Sequence, residues 1–347
     1  SCGAAHAVAV NSATSALHLA CLALGVTAGD VVWTTPMTFV ASANCARYCG
    51  ATVDFVDIDP CTWCMSAEQL RVKLAYARGT GRPLPKVVIP VHFAGQSCDM
   101  MRIRQLSEEY GFRIIEDASH AIGGTYGRAP VGSCAYSDIT VFSFHPVKIM
   151  TTGEGGMALT NSTELAERMG RWRAHGITRD PARFARPSDG PWYYEQIDLG
   201  FNYRMTDIQA ALGHSQLSRL QEFVDRRNVL AEQYDAAFAT LPIQSQQRPA
   251  HVRSARHLYV VRVAQSSRRG LYEHLSASGI GVNVHYIPVH LHPDYRQLGF
   301  AEGQYPQAEQ YYREAVSLPM YFALSDAQQE RVIGEVRRVL MQPARAA

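Results

Sequence analysis

The chain lacks several features that would place it in particular classes of protein. Its 347 residues contain no lysine- or arginine-rich block, and 33 basic residues against 31 acidic ones give a formal net charge of +2. Because no extended region of positive charge is present, we do not expect the protein to bind a nucleic-acid backbone. No apolar run has the length needed to span a bilayer, and residues 1–6 lack the charged-then-apolar pattern of a secretory signal. We therefore expect a cytoplasmic protein with neither a nucleic-acid nor a membrane partner.

Cysteine is absent from the C-terminal part of the chain, because all eight cysteines lie between Cys2 and Cys134. A chain with 47% hydrophobic residues can bury a sizeable core without disulfides, so we expect reduced thiols. Cys45 and Cys49 form one closely spaced pair, and Cys61 and Cys64 form another. This spacing could mimic a four-thiolate zinc site. The first pair lies in a helical stretch and the second in a turn, so we expect no metal site.

Short apolar stretches alternate with helical ones over the first half of the chain. Such alternation predicts an α/β fold, with a mostly parallel sheet and helices on both faces. The carboxyl ends of parallel strands share one edge, where open α/β sheets bind ligands. The predicted strands cover residues 31–35, 53–56, 87–92, 113–116, 139–144 and 157–160.

The middle of the chain departs from that alternation. Residues 173–201 are rich in Arg, Pro, Gly and aromatic residues and predict a long loop. A loop of that length is more often functional than a simple connection. We expect this loop to cross a dimer interface. Apolar residues at three- and four-residue spacing over residues 205–224 predict one long amphipathic helix that links two domains. We expect a large domain over residues 1–222 and a smaller α+β domain over residues 223–347.

One lysine lies where a Schiff-base amine is expected. Lys148 follows the apolar stretch 139–144 and precedes the glycine-rich turn 151–156. A lysine amine attacks a carbonyl only when part of it is unprotonated, which requires a confined and partly desolvated setting. On its own the pattern fits an ordinary surface lysine better, so other residues must support the assignment.

An acidic residue ends a second predicted strand. Asp117 follows residues 112–116, which places it at the carboxyl edge of the sheet. A carboxylate there can pair with a protonated ring nitrogen, as the pyridoxal phosphate ring requires, or it can cap the next helix. His120 follows three residues later and could contact the cofactor's phenolic oxygen or cap a turn.

A candidate phosphate site lies near the amino terminus. Residues 11–17 place the hydroxyl groups of Thr14 and Ser15 at the start of an apolar helical run. The free N–H groups and the dipole of a helix amino terminus favour an anion, although Ser and Thr also cap ordinary helices. Ser143 offers a further hydroxyl group beside the lysine turn.

In this order, the motifs resemble the DegT/StrS family of nucleotide-sugar aminotransferases, which depend on pyridoxal 5′-phosphate. The resemblance covers nearly the whole chain and implies the fold of fold type I pyridoxal-phosphate transferases, a homodimer with shared active sites, and that cofactor. It rests on residues 11–17, 35–41, 55–59, 116–124, 143–156, 200–212 and 284–290.

The resemblance implies a role for each matching residue. Lys148 holds the cofactor as a Schiff base and moves a proton during catalysis, Asp117 keeps the ring nitrogen protonated, and His120 contacts the ring oxygen. Phe39 stacks on the ring, although as a bare sequence feature it would be assigned to the core. The implied phosphate-binding residues are Thr14, Ser15, Ser143 and, from the neighbouring subunit, Asn202. The residues implied to face the substrate are His285, Tyr286 and Arg204, which without the family would be assigned to core packing or to an ion pair.

The substrate is implied by a narrower resemblance. His120, the Phe-His-Pro-Val-Lys run at 144–148 and the Val-His-Tyr run at 284–286 are most similar to the branch of the family that serves pseudaminic acid biosynthesis. That branch implies a UDP-linked 4-keto-6-deoxy-N-acetylhexosamine that is aminated at C4 with L-glutamate as donor. A GDP-linked sugar, as in perosamine synthesis, or a 3-keto sugar is the nearest alternative.

Two further alternatives keep the fold and change the chemistry. A dehydratase of the same family has histidine at the lysine position, so Lys148 disfavours it. A non-catalytic regulatory protein that binds the cofactor is disfavoured by the joint presence of Lys148, Asp117 and Asn202. Related chains usually have a segment before the position that matches Ser1, so we expect an N-terminal segment to be missing here.

Overall fold

The computed structural model describes residues 1–341, and the last six residues of the predicted small domain, 342–347, lie outside the described residues. The strands are β1 (His6–Val10), β2 (Val31–Thr34), β3 (Thr52–Phe55), β4 (Val87–Ile89), β5 (Arg113–Asp117), β6 (Thr125–Tyr126), β7 (Ala129–Pro130), β8 (Ile139–Ser143), β9 (Gly156–Thr160), β10 (Ile177–Thr178), β11 (Glu195–Gln196), β12 (Gln244–Ser245), β13 (Val252–Arg253), β14 (Tyr259–Arg262) and β15 (Ala315–Leu318).

The helices are α1 (Ala13–Ala23), α2 (Ala41–Tyr48), α3 (Ala67–Thr80), α4 (Met100–Tyr110), α5 (Thr163–Trp172), α6 (Asp207–Leu217), α7 (Leu220–Phe238), α8 (Gln265–Ala277), α9 (Pro293–Arg296), α10 (Pro306–Glu314) and α11 (Asp326–Leu340). Short 3₁₀ helices cover Phe93–Gly95, Pro181–Arg183 and Val289–Leu291. Within residues 1–341, every helix is too short or too polar to cross a membrane.

A seven-stranded sheet with the order β1-β9-β8-β5-β4-β2-β3 forms the centre of the N-terminal part. The run from β8 through β5, β4 and β2 to β3 is parallel, while β9 is antiparallel to both of its neighbours. The expected α/β fold with a mostly parallel sheet is confirmed. Each predicted strand is present, although β4 ends at Ile89, three residues earlier than predicted. The sequence pattern did not reveal β1 or the reversed direction of β9.

The C-terminal part has a second sheet with the order β12-β14-β15, which packs with α7, α8 and α11 around a separate apolar cluster. Other C-terminal residues, such as Val289 and Tyr311, enter the core of the large sheet instead. Residues 282–286, predicted within the smaller α+β unit, form no strand, and only Asn283 pairs with Ser317 as an isolated bridge. The domain boundary at 222/223 stays a prediction.

The single helix predicted over residues 205–224 is wrong. Two helices, α6 and α7, are present there, with Ser218 and Arg219 between them. Ile208 in α6 is 84% exposed, whereas Val224 in α7 is fully buried. Each helix has its own apolar stripe, and the three- and four-residue spacing of apolar residues continues from one helix to the next. The spacing alone therefore predicts a single helix.

Candidate active site

A cavity of about 290 Å³ lies at the carboxyl ends of the parallel strands. It is enclosed by the ends of β5 and β8, the N-terminus of α1, the loop before α2 and a segment before α9. The sequence-predicted residues that line it are Thr14, Phe39, Asp117, His120, Ser143, Lys148, His285 and Tyr286. Segments that are far apart in the chain therefore meet at the predicted edge of the sheet.

Lys148 lies in the turn that follows β8. Its backbone N–H donates to the His145 carbonyl at 2.9 Å, which closes the turn. Burial lowers the pKa of the Lys148 amine to about 8, and the nearby Asp117 carboxylate opposes that shift. An amine with that pKa is partly neutral near physiological pH, so it can attack a carbonyl.

Asp117 is the last residue of β5 and is 5% exposed. The Ser42 hydroxyl donates to Oδ2 at 2.5 Å, and the Ser119 N–H donates to Oδ1 at 3.1 Å. Its backbone is fixed as well, because its N–H donates to the Pro90 carbonyl at 2.9 Å and its carbonyl accepts from the His92 N–H at 3.0 Å. The carboxylate is therefore held in one orientation beside the cavity.

A buried network lies directly behind the end of β5. Glu116 Oε2 is 2.7 Å from His92 Nε2, and Oε1 accepts from Ser137 Oγ at 2.5 Å and Thr140 Oγ1 at 3.2 Å. The Cys98 N–H donates to His92 Nδ1 at 3.3 Å, so the ring proton is on Nε2 and points at the carboxylate. Burial acts to raise the pKa of Glu116, but these hydrogen bonds outweigh it and lower the pKa. The network ties the ends of β4 and β5 together.

His120 connects the cavity floor to the C-terminal part of the chain. Its Nε2 is 3.1 Å from the Tyr286 hydroxyl, and its ring centroid is 4.4 Å from that of His257. Burial, reinforced by the Lys148 ammonium, holds the pKa of His120 well below its usual range. Burial also raises the pKa of Tyr286. At neutral pH the pair is therefore an uncharged imidazole and a protonated hydroxyl.

His285 is fixed by a contact to β15. Its Nδ1 is 2.8 Å from Ser317 Oγ, and its carbonyl accepts from the Tyr311 hydroxyl at 3.0 Å. Burial, with the Lys148 ammonium as a second cause, lowers the pKa of His285 to about 4. His285 therefore offers the cavity a neutral polar ring.

The N-terminus of α1 forms one wall of the cavity. Ser12 caps the helix, since its Oγ accepts from the Ser15 N–H at 3.1 Å. Ser12 and Thr14 line the cavity, whereas the Ser15 hydroxyl turns back and donates to Asn11 Oδ1 at 2.6 Å. The first turn of a helix presents free N–H groups and a positive dipole end, so this wall suits an anion.

Asn202 and Arg204 do not line this cavity within the described chain. Both are exposed, and the contact of the Asn202 backbone is an isolated bridge to Ala174. They lie just before α6, whose Ile208 is also exposed. Within a single chain, Asn202 and Arg204 therefore lie apart from the predicted residues that line the cavity.

Residues 1–341 contain no group of three or more His, Cys, Asp or Glu side chains placed to hold a metal ion. In that part of the chain all eight cysteines are free thiols. Cys45 lies beside Cys21 in the core, whereas the Cys64 thiol donates to the Gln96 carbonyl at 3.4 Å. The two cysteine pairs considered for zinc are therefore in different surroundings.

Sequence reasoning missed several residues of the site. Ser42 contacts Asp117, which lies 75 positions away in the sequence. Ser42 follows Phe39 by three residues, a spacing that places two residues on one helical face and is a weak signal for the site. Ser12, rather than the predicted Thr14 or Ser15, caps α1, and an N-cap serine is a recognisable signal in the sequence. His257 has no signal in the sequence, because only the packing of segments far apart in the chain places its ring against His120.

A model of the DegT/DnrJ/EryC1/StrS aminotransferase family matches residues 1–337. The chain belongs to this family. It is a pyridoxal-phosphate-dependent sugar aminotransferase, and the cavity contains the lysine and the aspartate that this chemistry needs.

Relatives of this aminotransferase match over most of its length. The spore coat polysaccharide biosynthesis protein SpsC of Bacillus subtilis is 40% identical over 346 residues, which cover 97% of this chain and 86% of SpsC. GDP-perosamine synthase of Caulobacter vibrioides is 37% identical over 346 residues, covering 98% and 87%. The UDP-4-amino-4,6-dideoxy-N-acetyl-beta-L-altrosamine transaminase of Campylobacter jejuni is 36% identical over 324 residues, covering 92% and 81%. The names of the last two relatives refer to different sugars, so the similarity does not identify the sugar.

A solved structure supports the cofactor. The PLP form of Spr1654 from Streptococcus pneumoniae matches with a TM-score of 0.86 and 31% identity, over 98% of this chain and 88% of that chain. The residues of the aminotransferase fit this cofactor. Phe39 keeps a ring that is 59% exposed at the cavity, as a planar ligand requires. Gly156 passes so close to α1 that a Cβ atom there would lie 2.5 Å from the Ala13 nitrogen, so only glycine lets β9 approach the wall that suits an anion.

Proposed function

We propose that this aminotransferase converts a UDP-linked 4-keto-6-deoxy-N-acetylhexosamine to its 4-amino sugar, with L-glutamate as amino donor, as a step of pseudaminic acid biosynthesis. The observation that supports transamination is the convergence of Lys148, Asp117 and His120 on one cavity. The choice of sugar is supported by the motifs around residues 144–148 and 284–286 and by the 36% identity to the Campylobacter jejuni transaminase.

The cofactor supplies an electron sink when bound. Lys148 would provide the amine that holds it and would move a proton to and from the amine-bearing carbon of the substrate. Asp117, fixed by Ser42, would hold a proton on the pyridine nitrogen. His120 and Tyr286 form an uncharged hydrogen-bonding wall. They can therefore orient hydroxyl or keto oxygens of the substrate without competing for the proton that Lys148 moves.

The nearest rivals are a GDP-linked sugar and a 3-keto sugar, and the 37% identity to GDP-perosamine synthase favours the GDP-linked one. Purified protein with pyridoxal phosphate and glutamate should be offered a panel of UDP- and GDP-linked 4-keto and 3-keto sugars, and products followed by mass spectrometry. We expect the UDP-linked N-acetylated 4-keto sugar to have the highest kcat/KM. A higher kcat/KM for a GDP-linked or 3-keto sugar would show that the proposed substrate is wrong. If glutamate is not converted to 2-oxoglutarate with any sugar, the proposal of transamination is contradicted.

We further propose a homodimer in which Asn202 reaches the cofactor phosphate of the neighbouring subunit, with Arg204 facing the substrate there. Both residues are exposed and lie outside the cavity of their own chain. Leu199 and Ile208, apolar residues close to Asn202 and Arg204 in the chain, are each 84% exposed, and packing against a second subunit would remove them from water. A cytoplasmic location is part of the proposal, supported by eight free thiols, since such thiols persist in a reducing compartment.

A further inference from the structure

A second buried imidazole packs against His120. His257 lies two residues before β14, is 5% exposed and does not itself line the cavity. Its ring centroid is 4.4 Å from that of His120, with 46° between the ring planes. Nδ1 of each ring is buried without a hydrogen-bond partner in residues 1–341. The two rings therefore meet by packing rather than by a hydrogen bond through these atoms.

The backbone of His257 is held in place from outside the cavity. Arg227 in α7 is buried, and its guanidinium donates to the His257 carbonyl at 3.1 Å and to the Met320 carbonyl at 2.8 Å. Gly95 lies against the backbones of both histidines, since a Cβ atom there would be 2.8 Å from the His257 nitrogen and 3.0 Å from the His120 carbonyl oxygen. Only glycine permits that approach, because a side chain would clash. These contacts fix His257 independently of any ligand.

The His120 ring also contacts the cavity and Tyr286. It lines the cavity, and its Nε2 is 3.1 Å from the Tyr286 hydroxyl. Burial, with His120 as the next cause, holds the pKa of His257 well below its usual range, so His257 packs against the neutral His120 ring without charge repulsion. Removing the His257 ring would open space into which His120 could turn, away from Tyr286 and the cavity.

We propose that His257 is a positioning residue whose ring holds the His120 imidazole in the orientation that faces the cavity and Tyr286. This inference rests on the proposed contact between His120 and the ring oxygen of the cofactor. The bulk of the His257 side chain provides the support, because its buried Nδ1 makes no hydrogen bond to His120. A group that contacts the cofactor must be held closely, since small displacements from the productive geometry lower the rate.

A double-mutant cycle tests whether His257 acts through His120. The visible absorbance of the lysine-bound cofactor is titrated with pH in the original full-length protein, in His120→Ala, in His257→Ala and in the double variant. His120→Ala should shift the midpoint, because a hydrogen bond to the ring oxygen changes the proton affinity of the neighbouring nitrogen. His257→Ala should shift it in the same direction, and the double variant should match His120→Ala. Shifts that add in full, or an unchanged midpoint in His257→Ala or in His120→Ala, would overturn the proposal.

Two further variants separate positioning from a general loosening of the fold. His257→Leu keeps most of the side-chain bulk and should retain the original midpoint. Val261→Ala is the matched control, because Val261 is fully buried in β14 but packs in the separate apolar cluster of the C-terminal part. It should also retain the original midpoint. A shifted midpoint in either variant would overturn the proposal, and if His257→Ala does not fold, His257→Leu decides the question alone.

Crystal structures of the cofactor-free variants give a readout that needs no ligand. The contact between His120 Nε2 and the Tyr286 hydroxyl should persist in His257→Leu and be lost in His257→Ala. Its persistence in His257→Ala would refute the positioning role.

Rapid mixing with glutamate connects the positioning role to turnover. The bound cofactor should be converted about tenfold more slowly in His257→Ala than in the original protein, and an equal rate would refute the role. No response of the original protein to glutamate would contradict the proposed function, whereas the midpoints and the structures would still decide the role of His257.

Discussion

The Ser42 hydroxyl donates a 2.5 Å hydrogen bond to Asp117 Oδ2 and joins α2 to the end of β5. Thr38 Oγ1 is 2.7 Å from the same hydroxyl, so the Ser42 oxygen is itself fixed. Both Ser42 and Asp117 are buried, which strengthens a hydrogen bond to a carboxylate. Ser42 thus positions the Asp117 carboxylate, the group that we propose holds the proton of the cofactor ring.

Replacing Ser42 by Ala should lower kcat about tenfold to a hundredfold with little change in KM, because a hydrogen bond to a charged group contributes about 1.5–3 kcal/mol. Steady-state kinetics checks this. Ser107→Ala is the matched control, since Ser107 is also buried and donates to the Phe112 carbonyl at 2.5 Å far from the cavity. An unchanged kcat in Ser42→Ala, or an equal loss in the control, would contradict the positioning role.

Lys148→Ala should abolish turnover and the visible absorbance of the lysine-bound cofactor, because no amine remains to form the bond. Circular dichroism and the urea unfolding midpoint should stay close to those of the original protein. Lys148→Arg is the control that keeps the charge, and it should be inactive as well. Retained full activity in either variant would refute the role of Lys148.

Asp117→Asn should lower kcat much more than it raises KM. The carboxylate would keep the ring nitrogen protonated, and a protonated ring matters most when negative charge develops on the substrate carbon, which is in the transition state for proton removal. Comparing rates with glutamate deuterated at the α-carbon isolates that step, and we expect its isotope effect to increase. Equal losses in binding and in turnover would assign Asp117 to helix capping alone.

The Lys148 amine should react according to a pKa of about 8, which burial lowers from the ordinary lysine value. The neutral amine is the reactive form, so its labelling rate should rise with pH through pH 8 and level off above about pH 9. Cofactor-free protein is pulsed with an acetylating reagent across the pH range, with N-α-acetyl-lysine in the same tube as control, and labelled peptides are quantified by mass spectrometry. A midpoint that coincides with the control would exclude a desolvated amine.

Mixing two inactive variants tests the shared active site. Lys148→Ala and Asn202→Asp should each be inactive, the second because it places a carboxylate beside the phosphate. If Asn202 acts in the neighbouring subunit, a mixed dimer contains one intact site, and an equal mixture refolded together should regain about a quarter of the original activity. A matched mixture of Lys148→Ala with Asp117→Asn should regain nothing, since both changes fall on the same chain's site. Failure of the first mixture would place Asn202 in its own subunit or outside the site.

Much of the fold followed from local patterns. Strands β2 to β5 and β8 are short apolar stretches bounded by turn residues, and such patterns are set by neighbouring side chains alone. The direction of β9 and the break between α6 and α7 were not predictable in that way, because both depend on which surface the segment packs against. The same limit applies to residues 282–286 of the smaller unit, where Asn283 forms only an isolated bridge to Ser317 and tertiary contacts override local propensity.

The sequence by itself determined the chemical groups and the edge of the sheet where they meet, because strand ends, helix starts and a glycine-rich turn are local features. Only the tertiary structure decided which of those groups touch. The Ser42–Asp117 bond, the His120–Tyr286 contact and the lowered pKa of Lys148 each require segments far apart in the chain to exclude water together. Desolvation and hydrogen-bond geometry arise from packing, and packing is a property of the whole fold.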